Sequence, residues 1–358
     1  MARKNNILQQ IADRLEPSVR KAFIESITQL KSDVQIGLLT EAIQKKDIGR
    51  TLQILNLYAA YFAPLDRALT AAYQEAGDAM MALWMAQAAH AGAQARGVFD
   101  ARNPRAEEWL REQSSQLIRE VLDETKAEVR TLLSANFAAD TAPRTSALDL
   151  VGRVAKSGPQ KGQRVGGIIG LLSRDVKAKQ AALDELRADP GSDRGRAQLR
   201  NYLNRKTRDK RFDSVVRAAL RDGKSIPDEK ARKMLIGMEN KMLRNRGETI
   251  ARTELLSTTE SAQEEGLNQL VESGKVAREN VRATWDTAND GAQRDSHDAM
   301  DGQVRRHGDP FVSGDGYQLL HPGDRSLGAP AEEIINCRCV KRPDIDWIAQ
   351  AAQERRAS

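Results

Sequence analysis

Residues 280–287 read NVRATWDT. Val281, Ala283 and Trp285 alternate with Arg282, Thr284 and Asp286, a period of two that predicts a strand buried on one face. Trp285 reads as a core aromatic. Beyond Gly274, glycine and proline become frequent, and GQVRR (302–306), DPFVS (309–313) and EIINCRCV (333–340) predict further short strands between long loops. Gly302 is suited to a turn of positive φ leading from the Trp285 strand into the next one. Before Gly274 the apolar spacing is helical. The fold expected is therefore mainly α with a C-terminal α+β domain: long helices, then a helical hairpin, then a small sheet with long loops.

In the N-terminal part, Ile7, Ile11, Leu15, Val19, Phe23, Ile27 and Leu30 form one apolar helical stripe. Ser32 with Gln35 predicts a capping box for the next helix. Pro64 breaks or kinks LYAAYFAPLDRAL (57–69). Asn103 and Pro104, in GVFDARNPRAEEWL (97–110), predict the cap and first turn of a long helix. Thr145 and Ser173 are candidate caps further on, and Pro227 opens another long helix that Gly247 only weakens. Four regions follow: a helical 1–100, a helical and basic 101–229, the α+β domain 230–345 and a tail 346–358.

MARKNNILQQIADRLEP (1–17) has no long apolar run, so no secretory signal is expected. The longest uncharged run, AMMALWMAQAAHAGAQA (79–95), is short for a bilayer span and holds Gln87, His90 and Gln94; it reads as a buried helix, with no stable membrane association expected.

Charge is unevenly spread. Residues 1–150 are nearly neutral, with 18 Lys/Arg against 19 Asp/Glu; residues 151–250 carry 25 against 12, a net +13; residues 251–358 carry 13 against 19, a net −6. A basic block faces a polyanion or is a solvated surface. Its densest stretch, RNYLNRKTRDKRFD (200–213), sets Arg200, Arg205, Lys206, Arg208, Lys210 and Arg211 around Tyr202. With one aromatic and no recognition-helix pattern, non-specific contact with the DNA backbone is expected rather than base reading, the alternatives being a solvated surface or an acidic protein partner. SGPQKGQRVGGIIGLLSRD (157–175) is glycine-rich and basic but matches neither phosphate-binding glycine motif.

Cys337 and Cys339 are the only two cysteines in 358 residues. A disulfide between residues i and i+2 is strained. Three readings remain: a metal clip, two small thiols packed on one face with Arg338 pointing to the other face, toward a carboxylate, or a family signature whose meaning lies elsewhere in the chain. With His297 and His321 the thiolates make a four-donor set that zinc prefers, although Cys-x-Cys is an unusual zinc spacing. Arg252 and Glu254 in IARTE (250–254), taken with His297, allow an acid–base site; being two residues apart they do not share a helix face, and the reading favoured is structural ion pairing that ties this helix to the RDSH loop (294–297).

Taken in order, ETIARTE (248–254), VRATWDT (281–287), RDSHDAMDGQV (294–304) and PGDRSLGAPAEEIINCRC (322–339) resemble the C-terminal domain of tailed-phage minor head proteins, the head-morphogenesis family typified by the F protein of phage Mu. The resemblance is strong over 230–342 and continues more weakly upstream through FDARNPRAEEWL, VGRV, GGIIGL and RDKRFD. It makes Arg252, Glu254, Trp285, Gly302 and Asn336 structural motif residues. It implies a low-copy structural protein of the virion rather than an enzyme, built into the procapsid in the host cytoplasm. Its place would be inside the head near the portal, and its partners the portal, a major capsid or scaffolding protein and DNA. Docking would use residues 1–100, and ejection with the genome is compatible with it. Many relatives carry a Cys-x-x-Cys before the central glycine and a terminal His-Pro-x-Cys-x-Cys; here RDSH stands in the first place, and the His-Pro lies earlier, at His321 and Pro322. That departure leaves a metal open. The alternatives are a metal-dependent enzyme using His297, Glu254 and the cysteine pair, against which the lack of any hydrolase or phosphate-binding motif counts, and a free non-specific DNA-binding protein.

Overall fold

The computed structural model describes residues 6–158, 160–289, 291 and 293–357. Residues 1–5 of the N-terminal stretch, Pro159 of the glycine-rich loop and Ser358 of the tail lie outside the described residues. In chain order the helices are α1 (Ile7–Ser32), α2 (Ile36–Gln44), α3 (Ile48–Leu55), α4 (Ala63–Ala91), α5 (Pro104–Ala138), α6 (Pro143–Val151), α7 (Ser173–Leu186), α8 (Asp193–Asn204), α9 (Asp213–Asp222), α10 (Asp228–Glu272), α11 (Asp295–Asp298), α12 (Ala331–Ile334) and α13 (Trp347–Ala357). The strands are β1 (Arg153–Val154), β2 (Arg164–Val165), β3 (Val281–Asp286), β4 (Val304–Arg306), β5 (Phe311–Val312), β6 (Gln318–Leu319) and β7 (Val340–Ile345). The chain is mainly α with small antiparallel sheets near its C-terminus, as the change of period at Gly274 predicts. No helix is long and apolar enough to cross a membrane among the described residues.

Two compact units form, and each draws on separated parts of the sequence. The first comprises residues 1–20, 65–114 and 248–358; the second comprises 21–64 and 115–247. The serial regions expected from sequence therefore do not coincide with the compact units: residues 1–100 contribute to both. Nor is 346–358 a loose tail, since α13 begins on Trp347, which is buried in the core of the first unit.

In the first unit, Leu8, Tyr73, Met81, Trp84, Phe99, Leu267 and Trp347 share one apolar core. Gly77 is required there, because a Cβ at that position would lie 2.2 Å from the Phe99 ring. A second core gathers Leu256, Ala283, Trp285, Met300, Phe311, Leu319, Ile334, Cys337 and Cys339. Its sheet has the order β4-β3-β7, antiparallel throughout, with Trp285 opposite Lys341. Val281, Ala283 and Trp285 all face inward, so the alternation of NVRATWDT holds residue by residue. The segment before the sheet is not a hairpin but one 45-residue helix, α10. Gly247 lies inside it and, lacking the steric clash of a proline, does not end it.

In the second unit Phe23 meets Phe62 at 6.5 Å. The glycine-rich loop folds inward. Gly167 donates its N–H to Glu239 and Gly166 to Asn240, so these amides are already engaged by side chains and form no phosphate cradle. Lys179 pairs with the same Glu239 at 2.6 Å. Several predicted caps are displaced. Ser32 ends α1, its hydroxyl donating to Thr28, so no capping box with Gln35 forms. Ala142 and Leu172, not Thr145 and Ser173, flank α6 and α7. Asn103 does cap α5, accepting from Arg105 N–H at 3.0 Å.

Candidate functional site

Cys337 and Cys339 lie in the extended segment that leads into β7, and Arg338 between them is only half-buried. The strand predicted over 333–340 is thus replaced by the short helix α12, a turn and this extended lead-in. Asn336 makes the turn with a φ of 56° and donates its N–H to Thr253 of α10 at 3.1 Å. Asparagine is among the few non-glycine residues that tolerate the left-handed region.

The extended backbone turns both thiols to the same side, where α11 presents His297. Its Nδ1 is 3.5 Å from Cys337 Sγ and 3.3 Å from Cys339 Sγ. Its Nε2 is 2.8 Å from the Glu333 carboxylate of α12. All four side chains are buried. Trp285 closes one side, with its ring edge-on to the imidazole at 5.7 Å. Arg294 donates to the Ile335 carbonyl and joins the RDSH loop to the cysteine segment.

The electrostatics follow from this packing. A hydrogen bond from the Cys339 thiol holds the Cys337 pKa well below the usual thiol value; burial opposes this, and His297 reinforces it. Cys339 is pushed up, first by that same bond to Cys337 and then by burial. Burial pulls the His297 pKa down, but Cys337 and Glu333 outweigh it and leave it above the usual histidine value. The two thiols are thus pushed in opposite directions, Cys337 down and Cys339 up, with the imidazole favouring the charged form of Cys337.

Among the described residues, His297, Cys337 and Cys339 form a set of potential metal donors, their ligand atoms all within 4.8 Å of one another. His321 is not in this set; it is buried, and its Nδ1 is 3.0 Å from the Pro322 carbonyl oxygen. Glu254 is not in it either. It accepts from Gln113 at 2.7 Å and from Arg325 at 3.2 Å, so no acid–base group with His297 forms. Arg252 is exposed and pairs along the helix with Glu248. Through Glu254 and Thr253 the IARTE segment is tied to the PGDR loop and to Asn336. Ser257 strengthens that tie by donating to Gly323, whose missing Cβ lets the backbone approach. Gly302 has a φ of 73° and donates to the Trp285 carbonyl, as the turn into β4 requires. Glu333 was not foreseen from sequence. Its signal is its place four residues before Cys337, in a pair whose other member, Glu332, is exposed.

Of the basic stretch, Arg205 is held by Glu185, Arg208 by Asp213 and Arg211 by Asp209, while Arg200, Lys206 and Lys210 are exposed without an ion-pair partner among the described residues.

Residues 210–342 match the family described as Phage Mu protein F like protein. In this segment the chain is similar to phage Mu F-like proteins. The segment begins just before α9 and ends within β7, and so contains α10, β3, β4 and every member of the thiol–imidazole cluster. No curated protein and no solved structure matches the chain. The family match supports a Mu F-like phage head protein.

Proposed function

We propose that the protein is a structural minor head protein of a tailed phage, built into the procapsid at low copy in the host cytoplasm, with the portal and the packaged DNA as its neighbours. The observation that carries this reading is the Mu F-like match over 210–342. Quantifying the protein in purified particles tests it: a few copies per head are expected, and its absence from heads overturns the reading.

Portal docking is assigned to the N-terminal helices. Deleting residues 1–100 is not a fair test, because Leu8, Tyr73 and Trp84 are core residues of the first unit. The outer face of α4 is a better probe. Ala82, Leu83, Ala86, Gln87, Ala89 and His90 are exposed, and no charge occurs from residue 79 to 95. Such a face suits helix-on-helix contact. Replacing Leu83 with Glu and Ala86 with Arg is expected to lower incorporation at least ten-fold, read by quantitative blotting of procapsids, with the circular dichroism spectrum unchanged. Full incorporation would remove this face from the contact.

A second reading concerns the cluster of His297, Cys337 and Cys339. We infer that it holds zinc, because thiolate and imidazole are donors zinc prefers, and because the hydrogen bond from Nε2 to Glu333 is the support that metal-bound histidines receive. These three residues would be the ligands, leaving the fourth position to water or another donor. Metal analysis of the full chain is expected to give about one zinc per chain, lost on Cys337→Ser. A folded, metal-free protein would leave the cysteines as packed thiols.

A further inference from the structure

The basic stretch at 200–213 is only half of a larger surface in the second unit. Lys241 of α10 donates from Nζ to the Lys206 carbonyl at 2.7 Å, which brings the helix and the stretch together. The approach is close because position 237 is glycine: a Cβ there would lie 2.5 Å from Asp209 Oδ2. Along α10, Lys233, Gly237, Lys241 and Arg244 follow one another at spacings of four, four and three, and so share a face. That face carries the cations of α10 alongside those of the loop.

The carboxylates of this neighbourhood are already taken. Glu185 binds Arg205 through two contacts at 2.6 and 2.8 Å, and Asp213 binds Arg208 at 2.9 and 3.0 Å. Asp209 binds Arg211 at 2.6 Å, and Glu229 binds Lys233 at 2.8 Å. Paired arginines shape the loop. Lys206, Lys210, Lys241 and Arg244 are exposed and have no carboxylate ion pair among the described residues. Asp209 and Asp213 act on Lys241 and Lys210 from beyond ion-pair distance while already bound to Arg211 and Arg208, so the surface keeps a positive excess that attracts an external polyanion.

The geometry points to Lys206, Lys210, Lys241 and Arg244 as a phosphate-binding track for duplex DNA, assembled from a loop and a helix that lie some 30 residues apart in sequence. It rests on the reading that the protein lies against packaged DNA. Ammonium and guanidinium groups at the ends of flexible stems neutralise phosphates without reading bases, so the track binds any sequence. Arg205 and Arg208, central to the sequence motif, act as scaffolding instead.

The test uses the full-length chain and two unrelated DNA duplexes over a range of salt. Replacing all four cations with glutamine is expected to flatten log K against log salt by up to ~3.6, at about 0.9 per lost contact, equally on both duplexes. The comparison variant replaces Lys21, Lys45 and Arg221, which are exposed, and the half-buried Lys126, cations of the same unit that each have a carboxylate partner. It loses the same net charge and is expected to leave the slope unchanged. Equal flattening in both variants would show diffuse charge rather than a track and overturn the assignment. An unchanged slope in the first variant, with loss of incorporation into heads, would make the surface a site for an acidic protein and also overturn it. A protein absent from heads that still shows the expected slopes would sink the proposed function and leave the track standing.

Discussion

Truncating Trp285 to alanine is expected to destabilise the first unit by about 3–5 kcal/mol, the range for removing a large buried aromatic. Trp285 is fully buried at the centre of the second core. Phe311 lies 5.3 Å away and His297 5.7 Å away, ring centroid to ring centroid. Its strand, β3, is the middle strand of a three-stranded sheet and is pinned on both sides, so the backbone cannot move in to fill the space. Truncation also removes the wall against which the imidazole is held, so the cluster loses geometry together with stability. Denaturant unfolding followed by tryptophan fluorescence checks this, because Trp84, Trp109 and Trp347 remain as reporters and all belong to the same unit. A loss below ~1 kcal/mol would mean that the neighbours collapse into the cavity and that the tryptophan does not organise this core.

That prediction rests on a residue whose role was legible in eight letters of sequence. NVRATWDT fixes a strand, its inward face and its core aromatic because the period of a strand is short and local. Helix existence was legible for the same reason. Cap identity was less so: Ser32, Thr145 and Ser173 have the right chemistry, but the helices begin or end where tertiary packing sets them. The two units were hidden entirely, because which segments share a core depends on contacts between residues such as Leu8 and Trp347, far apart in the chain. At the site, the two cysteines and His297 could be picked out by their rarity and motif, whereas Glu333 and the exclusion of His321 could not. A carboxylate's partner depends on where two loops meet, and no periodicity records that. The basic stretch shows the reverse limit. Charge counting found the region but could not tell Arg205 and Arg208, spent on internal pairs, from Lys206 and Lys210, which are not.

Just past Cys339 the chain enters β7, which carries Lys341, two residues on and also buried. Lysine is seldom buried without a partner. Here Nζ donates to Glu264 of α10, whose other carboxylate oxygen lies 3.4 Å from His307 Nδ1. His307 Nε2 in turn meets Asn268 at 2.8 Å. Gln263 donates to the Lys341 carbonyl at 3.0 Å, and Glu260 accepts the Lys341 N–H at 3.4 Å. Replacing Lys341 with methionine keeps the volume and removes the charge, leaving Glu264 buried opposite a histidine whose own pKa is depressed by burial. A buried pair broken on one side typically costs about 3–5 kcal/mol, and that is the loss expected for Lys341→Met at neutral pH. The combined Lys341→Met, Glu264→Gln variant is expected to recover part of it, because the stranded charge is gone. The pH dependence gives a separate check. Burial alone would raise the Glu264 pKa, but Lys341 and His307 outweigh it and hold it below the usual carboxylate value. In the native protein Glu264 therefore contributes stability above that usual value, and the contribution is lost as pH falls through the lowered one. Without Lys341, burial dominates and the folded-state pKa rises, so protonation on acidification relieves the stranded charge. Glu260 already behaves this way, its pKa held well above normal by burial. The difference in unfolding free energy between wild type and Lys341→Met should accordingly be largest near neutral pH and shrink toward pH ~4–5, where a buried carboxyl takes up its proton. A penalty that does not change with pH would show that Lys341 stabilises this unit through packing of its stem rather than through its charge.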